Sequence, residues 1–381
     1  MNRIKYIGVY DQASSRNDKD ISIACVKKMD YVIQTINSLG IGCDVISIAR
    51  TKDKCQHLKE TEIGKNRIII GPAIGSKNKL ISRIGELQIR IWLFLYLLFC
   101  VSREDTILVY HSPRYMSIIN LCSKIKRMKY ILEVEELYYK FSLMNHIEEE
   151  IEKSVIKGAS ALLVSTKNIV VELQYKKEYV VLHGNYERRV SEKFQTNKNI
   201  TYVVFAGGIE TIRNTAFNVC DCAKYLDEGI MLLLLGYGDV AAISKLENKI
   251  SEINAKSKGT LIKYLGTRVG KEYDKTLEKC TIGINYQNMD EYYMKYAFPS
   301  KVLNYLNYGL LTVTTPLETI RCSAIDKIVY YPDGMVNTPE AYAKTINQLV
   351  REKINRRTEI LNAMDELNSD FQIKLKQLLQ L

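Results

Sequence analysis

The sequence predicts an α/β protein: two tandem Rossmann-like domains, an interdomain cleft and C-terminal helices. Three observations carry that expectation. Short apolar, β-branched runs alternate with segments of helical period, the pattern of a parallel, doubly wound sheet. The alternation breaks at the polar stretch Gln195–Asn199 and then restarts. The length, 381 residues, is long for one domain and suits two. The expected division is 1–195, 196–350 and a helical segment, 351–381, that packs back on the first domain.

The first half opens on a strand, Lys5–Val9, followed by a polar loop, Asp11–Asp20. Ile23, Val26, Met29, Ile33 and Ile36 recur at helical spacing, and Gly40 stops that helix. Strands are expected at Cys43–Ile48, Arg67–Gly71, Thr106–Tyr110, Tyr130–Val134, Ala161–Ser165 and Tyr179–Leu182. Between them, Ser117–Met128 predicts a helix with a basic outer face, and Ile147–Lys157 an acidic amphipathic one. The most apolar run is Ile89–Val101, too short to span a bilayer as a helix. It suits a buried core helix, with a helix lying shallowly in a membrane interface as the alternative.

The second half repeats the pattern. Strands are expected at Thr201–Ala206, Ile230–Leu235, Leu261–Leu265, Ile282–Asn285, Leu310–Thr315 and Lys327–Tyr331. Helices are expected at Ala216–Leu226, Ile243–Ile253 and Glu272–Lys279, with Glu340–Leu381 helical in at least two pieces. The stretch Tyr292–Pro316 carries the most information. Pro299 suits a first helical turn, and Ser300 beside it could cap the free amides. Val302, Leu303, Tyr305 and Leu306 form an apolar face, and Gly309 fits the left-handed position after a helix end.

Charge and cysteine content narrow the classes. Lys plus Arg is 54 against 43 Asp plus Glu, a net charge of +11. Between Arg50 and Tyr130, sixteen Lys and Arg face six Asp and Glu, so most of the excess sits in one region. That region suits an anionic surface such as phospholipid; no nucleic-acid recognition motif appears, so no nucleic-acid partner is expected. The nine cysteines include no CxxC pair, and Cys220 and Cys222 are too close for a usual zinc knuckle. The N-terminus is a short strand rather than a charged start with an apolar run, so a cytoplasmic protein with reduced thiols is expected.

The candidate chemistry follows the second-half strands. Gly207-Gly208, Gly236-Tyr237-Gly238 and Gly266 each come directly after a strand, where glycine lets backbone approach a ligand. None completes GxGxxG, and no GxxxxGK[ST] is present, so a nicotinamide cofactor and a nucleoside triphosphatase are disfavoured. Arg213 and Lys301 both follow strands of this half and could clamp a diphosphate at a helix N-terminus.

These residues resemble a family. Phe298-Pro299-Ser300-Lys301-Val302-Leu303-Asn304-Tyr305-Leu306 with Gly309 resembles the FPSK-L-x-E-Y-L-x-x-G segment of GT-B glycosyltransferases of the glycosyl transferase group-1 type, those that build bacterial surface polysaccharides. Phe205–Arg213 resembles that family's G-R-L-x-x-x-K-G segment, and Leu232–Gly238 its strand and turn beside the nucleoside. Leu132–Tyr138 and Val181–Tyr186 are similar to first-domain segments of the family. Two positions depart from the pattern. Asn304 stands where the family has a Glu near the donor ribose, and Gly208 replaces the arginine of G-R-L. The family's earlier Glu falls on Tyr296.

The resemblance implies transfer of a sugar from a nucleoside diphosphate donor to a glycan or lipid-linked acceptor, with retention and without metal or other cofactor. The donor-binding set is then Gly207, Gly208, Arg213, Gly236, Tyr237, Gly238, Phe298, Pro299, Ser300, Lys301 and Asn304. Arg213, Lys301 and the Ser300 amide would stabilise the charge that grows on the leaving diphosphate. The chain's one DxD, Asp18-Lys19-Asp20, lies in the first loop and is not expected to hold a metal. For an inverting reaction His111 is the candidate base; Glu133 is the other catalytic candidate, and Glu135 and Glu136 could orient acceptor hydroxyls. Peripheral attachment to an anionic inner membrane face is expected through the basic region. Two other readings remain open: a degenerate, non-catalytic subunit partnering an active transferase, and a sugar-nucleotide epimerase, for which four histidines offer few acid/base groups.

Overall fold

A computed structural model of the chain describes residues 3–11, 20–140, 144–190, 200–256, 261–289 and 292–380. The expected boundary stretch Gln195–Asn199, and Asp18 and Lys19 of the DxD, lie outside the described residues. By contacts the chain divides into two compact units, Met1–Asn185 with Asp370–Leu381, and Tyr186–Ser369.

The first unit runs β1 (Ile4–Gly8), α1 (Ile23–Ser38), β2 (Cys43–Ser47), β3 (Cys55–Gln56), β4 (Lys59–Ile63), β5 (Asn66–Ile70), β6 (Ala73–Ile74) and α2 (Lys79–Phe99). It continues with β7 (Ile107–Tyr110), α3 (Met116–Lys126), β8 (Ile131–Val134), α4 (His146–Gly158), β9 (Ala161–Val164), α5 (Lys167–Glu172) and β10 (Tyr179–Val181). Eight strands form one sheet in the order β10-β9-β8-β7-β1-β2-β5-β4. Its central strands β7, β8 and β9 are buried at every residue, which is why they appear as apolar runs, broken only by Glu133 in β8. All pairings are parallel except β4 with β5. The β4 hairpin was not foreseen, because Lys59–Ile63 is mostly charged and polar and lies on an exposed edge. Helix ends are capped locally: Ser22 accepts from the Cys25 amide, and Asn145 with Glu148 forms a reciprocal capping box on α4. Helix α2 begins ten residues before the apolar run that announced it.

The second unit runs β11 (Thr201–Ala206), α6 (Thr215–Cys222), β12 (Ile230–Leu235), α7 (Val240–Lys256), β13 (Leu261–Tyr264), α8 (Lys271–Glu278), β14 (Ile282–Asn285), α9 (Ser300–Asn307) and β15 (Leu311–Thr314). Three helices follow, α10 (Glu318–Arg321), α11 (Pro339–Arg351) and α12 (Arg357–Leu378), whose last residues belong to the first unit. The sheet is fully parallel in the order β13-β12-β11-β14-β15. This order reverses direction between β11 and β14, the place where such sheets hold ligands beyond their carboxyl ends. The expected strand Lys327–Tyr331 is instead a 3₁₀ turn, Ala324–Ile328, with a single bridge from Tyr330 to Val313. Ser323 caps that turn by accepting from the Ile325 amide, which competes with strand pairing.

Candidate functional site

Three glycine turns meet beyond the carboxyl ends of β11, β12 and β13. The Gly207 amide donates to the Leu235 carbonyl (2.9 Å), the Ile209 amide to Tyr237 (2.8 Å) and the Gly236 amide to Gly266 (3.1 Å). The backbones lie so close that a Cβ on Gly236 would overlap the Gly207 carbonyl oxygen, and one on Gly238 the Ile209 carbonyl. Only glycine permits this approach. Tyr237, between them, is exposed.

Helix α9 brings its N-terminus to the same loops. The Ala206 amide donates to the Tyr305 hydroxyl (2.8 Å), and the Tyr305 ring packs where a side chain on Gly283 would stand. Phe298 and Pro299 are buried at the start of α9. Pro299, not Ser300, occupies the cap position; no side chain caps the helix, and Ser300 is its exposed first residue. The expectation that Ser300 caps these amides is therefore corrected: its side chain is within the first turn, where it cannot reach the following amides as a cap does. The Val302 amide donates to the Pro299 carbonyl, and among the described residues the Ser300 and Lys301 amides have no acceptor, which leaves them to an anion.

Lys301 reaches from this turn to Gly207, where a Cβ would collide with its Nζ. The ammonium lies 4.4 Å from the Phe205 ring centroid. Among the described residues no carboxylate or carbonyl bonds it. Burial lowers its pKa to about 8; Glu210 opposes that shift and Arg213 adds to it. Arg213 is half exposed, with Nε 3.7 Å from Glu210. Arg213 and Lys301 thus both feel the Glu210 carboxylate, beside the glycine turns. Gly208 faces Glu210 as well: a Cβ there would come 3.2 Å from its Oε1. Asn304 points elsewhere, its Nδ2 donating to the Tyr273 hydroxyl at 2.6 Å. Tyr296, the other position of departure, is buried. Tyr273 carries no motif signal, and Phe205 only opens a motif segment; each matters through the partner the fold gives it.

The first-unit candidates behave differently. His111 has no exposed side-chain atom: Nδ1 lies 3.1 Å from the Glu136 carbonyl and Nε2 3.4 Å from Glu152. Burial lowers its pKa to about 3. A base must touch the hydroxyl it deprotonates, and in this structure the His111 side chain is buried. Glu133 is equally buried and accepts from the Tyr6 hydroxyl. Burial raises its pKa to about 7, Lys28 opposing and Glu135 adding. Glu135 pairs with Lys28 at 3.0 Å, and Lys28 also donates to the Leu182 carbonyl at 2.8 Å. No motif announced Lys28. Glu136 is half-buried, and its carbonyl is the one His111 meets. Asp20, the described member of the DxD, pairs with Arg114 at 2.8 Å.

No protein-family model and no curated protein matches this chain. Solved structures do match along its whole length. One, described as trehalose-6-phosphate from E. coli bound with UDP-2-fluoro glucose, is 11% identical with a TM-score of 0.68, covering 99% of each chain. A UDP-forming α,α-trehalose-phosphate synthase from Burkholderia xenovorans is 9% identical at TM-score 0.68, covering 100% of this chain and 99% of that one. HepE of Anabaena in complex with UDP is 9% identical at 0.59, covering 97% and 95%. The chain has the GT-B fold.

Proposed function

We propose that this protein is a glycosyltransferase that moves a sugar from a uridine diphosphate donor to a glycan or lipid-linked acceptor hydroxyl. The observation that carries this is the Lys301 ammonium, bonded by no acceptor among the described residues and set against Gly207 at the uncapped start of α9. The neighbours described with UDP or a UDP-sugar support the choice of donor.

The reaction breaks the bond from the sugar C1 to the diphosphate oxygen and forms one from C1 to the acceptor oxygen. The hydroxyl proton leaves with the diphosphate. Negative charge grows on that leaving group, and Lys301, Arg213 and the Ser300 amide are the groups assigned to stabilise it. The loops Gly207-Gly208 and Gly236-Tyr237-Gly238 take the nucleoside and the diphosphate at close range, with Phe298 and Pro299 setting the direction of α9. The proposed course is retention without a metal, since fixed cations supply the charge and no separate base is needed. Glu135 and Glu136 are assigned to the acceptor side. His111 and Glu133 become positioning residues, His111 through its contact with the Glu136 carbonyl. The basic excess from Arg50 to Tyr130 suits work at an anionic, cytoplasmic membrane face.

A thermal-shift series with the nucleoside diphosphates and their sugars, with and without EDTA, tests the reading. A ligand that binds only the folded chain raises its midpoint. The expected result is a shift with UDP, insensitive to EDTA and lost in Lys301→Ala; no shift with any nucleotide sinks the donor site. A second reading, a non-catalytic partner subunit, draws on the turn of Asn304 toward Tyr273. Nucleotide binding without transfer to any acceptor would favour it.

A further inference from the structure

Helix α2 carries apolar residues on two opposite sides, and only one of them is covered. Its buried residues are Gly85, Ile89, Leu93 and Leu97, spaced by one turn. The opposite side carries Ile84, Leu87, Ile91, Leu95 and Phe99, exposed from 45% at Leu95 to 81% at Phe99. Helix α3 packs beside α2 and adds Leu121 and Ile125, both exposed. Scattered exposed leucines are ordinary; a continuous stripe marks a surface that something apolar covers.

The charges around the stripe identify the occupant. From Ser76 to Arg103 the single acid is Glu86, and α3 has none. Lys77, Lys79 and Arg83 stand exposed at one end, Lys124 and Arg127 at the exposed end of α3. Lysine and arginine at a helix N-terminus oppose its dipole, so helix stability does not account for Lys79 and Arg83. A second copy of this face would set cations against cations. An anionic bilayer offers both an apolar layer and phosphates at the right depth. Among the described residues no helix is long and apolar enough to cross a membrane.

We propose that the outer face of α2, with the end of α3, lies in the interface of an anionic bilayer, its apolar stripe at the acyl boundary and its cations among the headgroup phosphates. This gives the proposed transferase a membrane contact made by insertion as well as by charge. Its test needs no sugar donor, so its failure leaves the transferase reading standing.

The full chain is sedimented with vesicles of phosphatidylcholine, alone or mixed with phosphatidylglycerol, at low and high salt. The chain's one tryptophan, Trp92, sits on α2, partly exposed, and reports depth. The expected result is binding to the mixed vesicles, with Trp92 emission quenched by brominated acyl chains. Leu87→Glu with Ile91→Glu, at exposed positions, should weaken binding about tenfold or more while circular dichroism and the thermal midpoint stay unchanged. Lys79→Ser with Arg83→Ser should weaken it mainly at low salt. The proposal is overturned by a wild-type chain that ignores anionic vesicles, by an apolar double variant that binds as well, or by binding without quenching. A wild-type dimer that Leu87→Glu with Ile91→Glu splits would overturn it too, by showing a second copy on this face.

Discussion

Lys301 is the residue on which the donor site turns. Burial against Phe205 and Gly207 lowers its pKa to about 8, so the ammonium is charged below that pH and neutral above it. Nucleotide affinity measured by calorimetry should therefore fall as pH rises through about 8. In Lys301→Ala the affinity at pH 7 should drop roughly 10- to 100-fold, as for a lost charge-assisted bond, and its fall with pH should vanish. A wild-type affinity flat from pH 7 to 9 would remove Lys301 from the phosphate contact. Glu133 makes the opposite case. Its folded pKa, about 7, lies above its ordinary value of 4.5. The stability it contributes is thus present below pH 4.5 and lost as pH rises through 7. Glu133→Gln cannot ionise, so its thermal midpoint relative to wild type should climb between pH 5 and pH 8 by a few degrees. A constant difference would show that Glu133 does not titrate in that window.

At the scale of elements, the donor site is a set of strand-ending loops pressed together by α9. The contact is backbone on backbone, which makes glycine a requirement at Gly236, where a Cβ would overlap the Gly207 carbonyl. Gly236→Ala should cost about 1–3 kcal/mol, as overpacking does, and reduce the UDP-induced shift. Gly208→Ala is the control: its Cβ would meet only the flexible end of Glu210, so stability should hardly change. Equal losses in both variants, read by denaturant melts, would contradict this packing. Helix α9 itself was legible in the sequence, since Pro299, the apolar spacing and Gly309 act within one stretch of chain. Gly309 does adopt a positive φ of 67° after the helix. Its cap was not legible, because Ser300 and Pro299 are both plausible at that position until the backbone decides. The hairpin of β4 was missed for a related reason: an exposed edge strand carries no buried face to give it an apolar pattern.

For the whole molecule, the local sequence determined the alternation of strands and helices, five of the six strands expected in the second half and the glycines that follow β11, β12 and β13. These depend on neighbouring residues: β-branched runs favour strands, helical period marks helices, and glycine marks tight backbone. Only the tertiary structure decided which polar groups are available. His111 follows β7 and Glu133 lies near the end of β8, where active-site residues often stand, yet Glu152 and Tyr6, far along the chain, close over them. The Ala206–Tyr305 bond joins residues 99 apart, and the same docking carries Lys301 to Gly207. The apolar run in α2 looked like core from its composition, but which side is covered depends on the elements packed against it. Burial and pairing are set by residues distant in sequence, so they emerge only when the chain closes on itself.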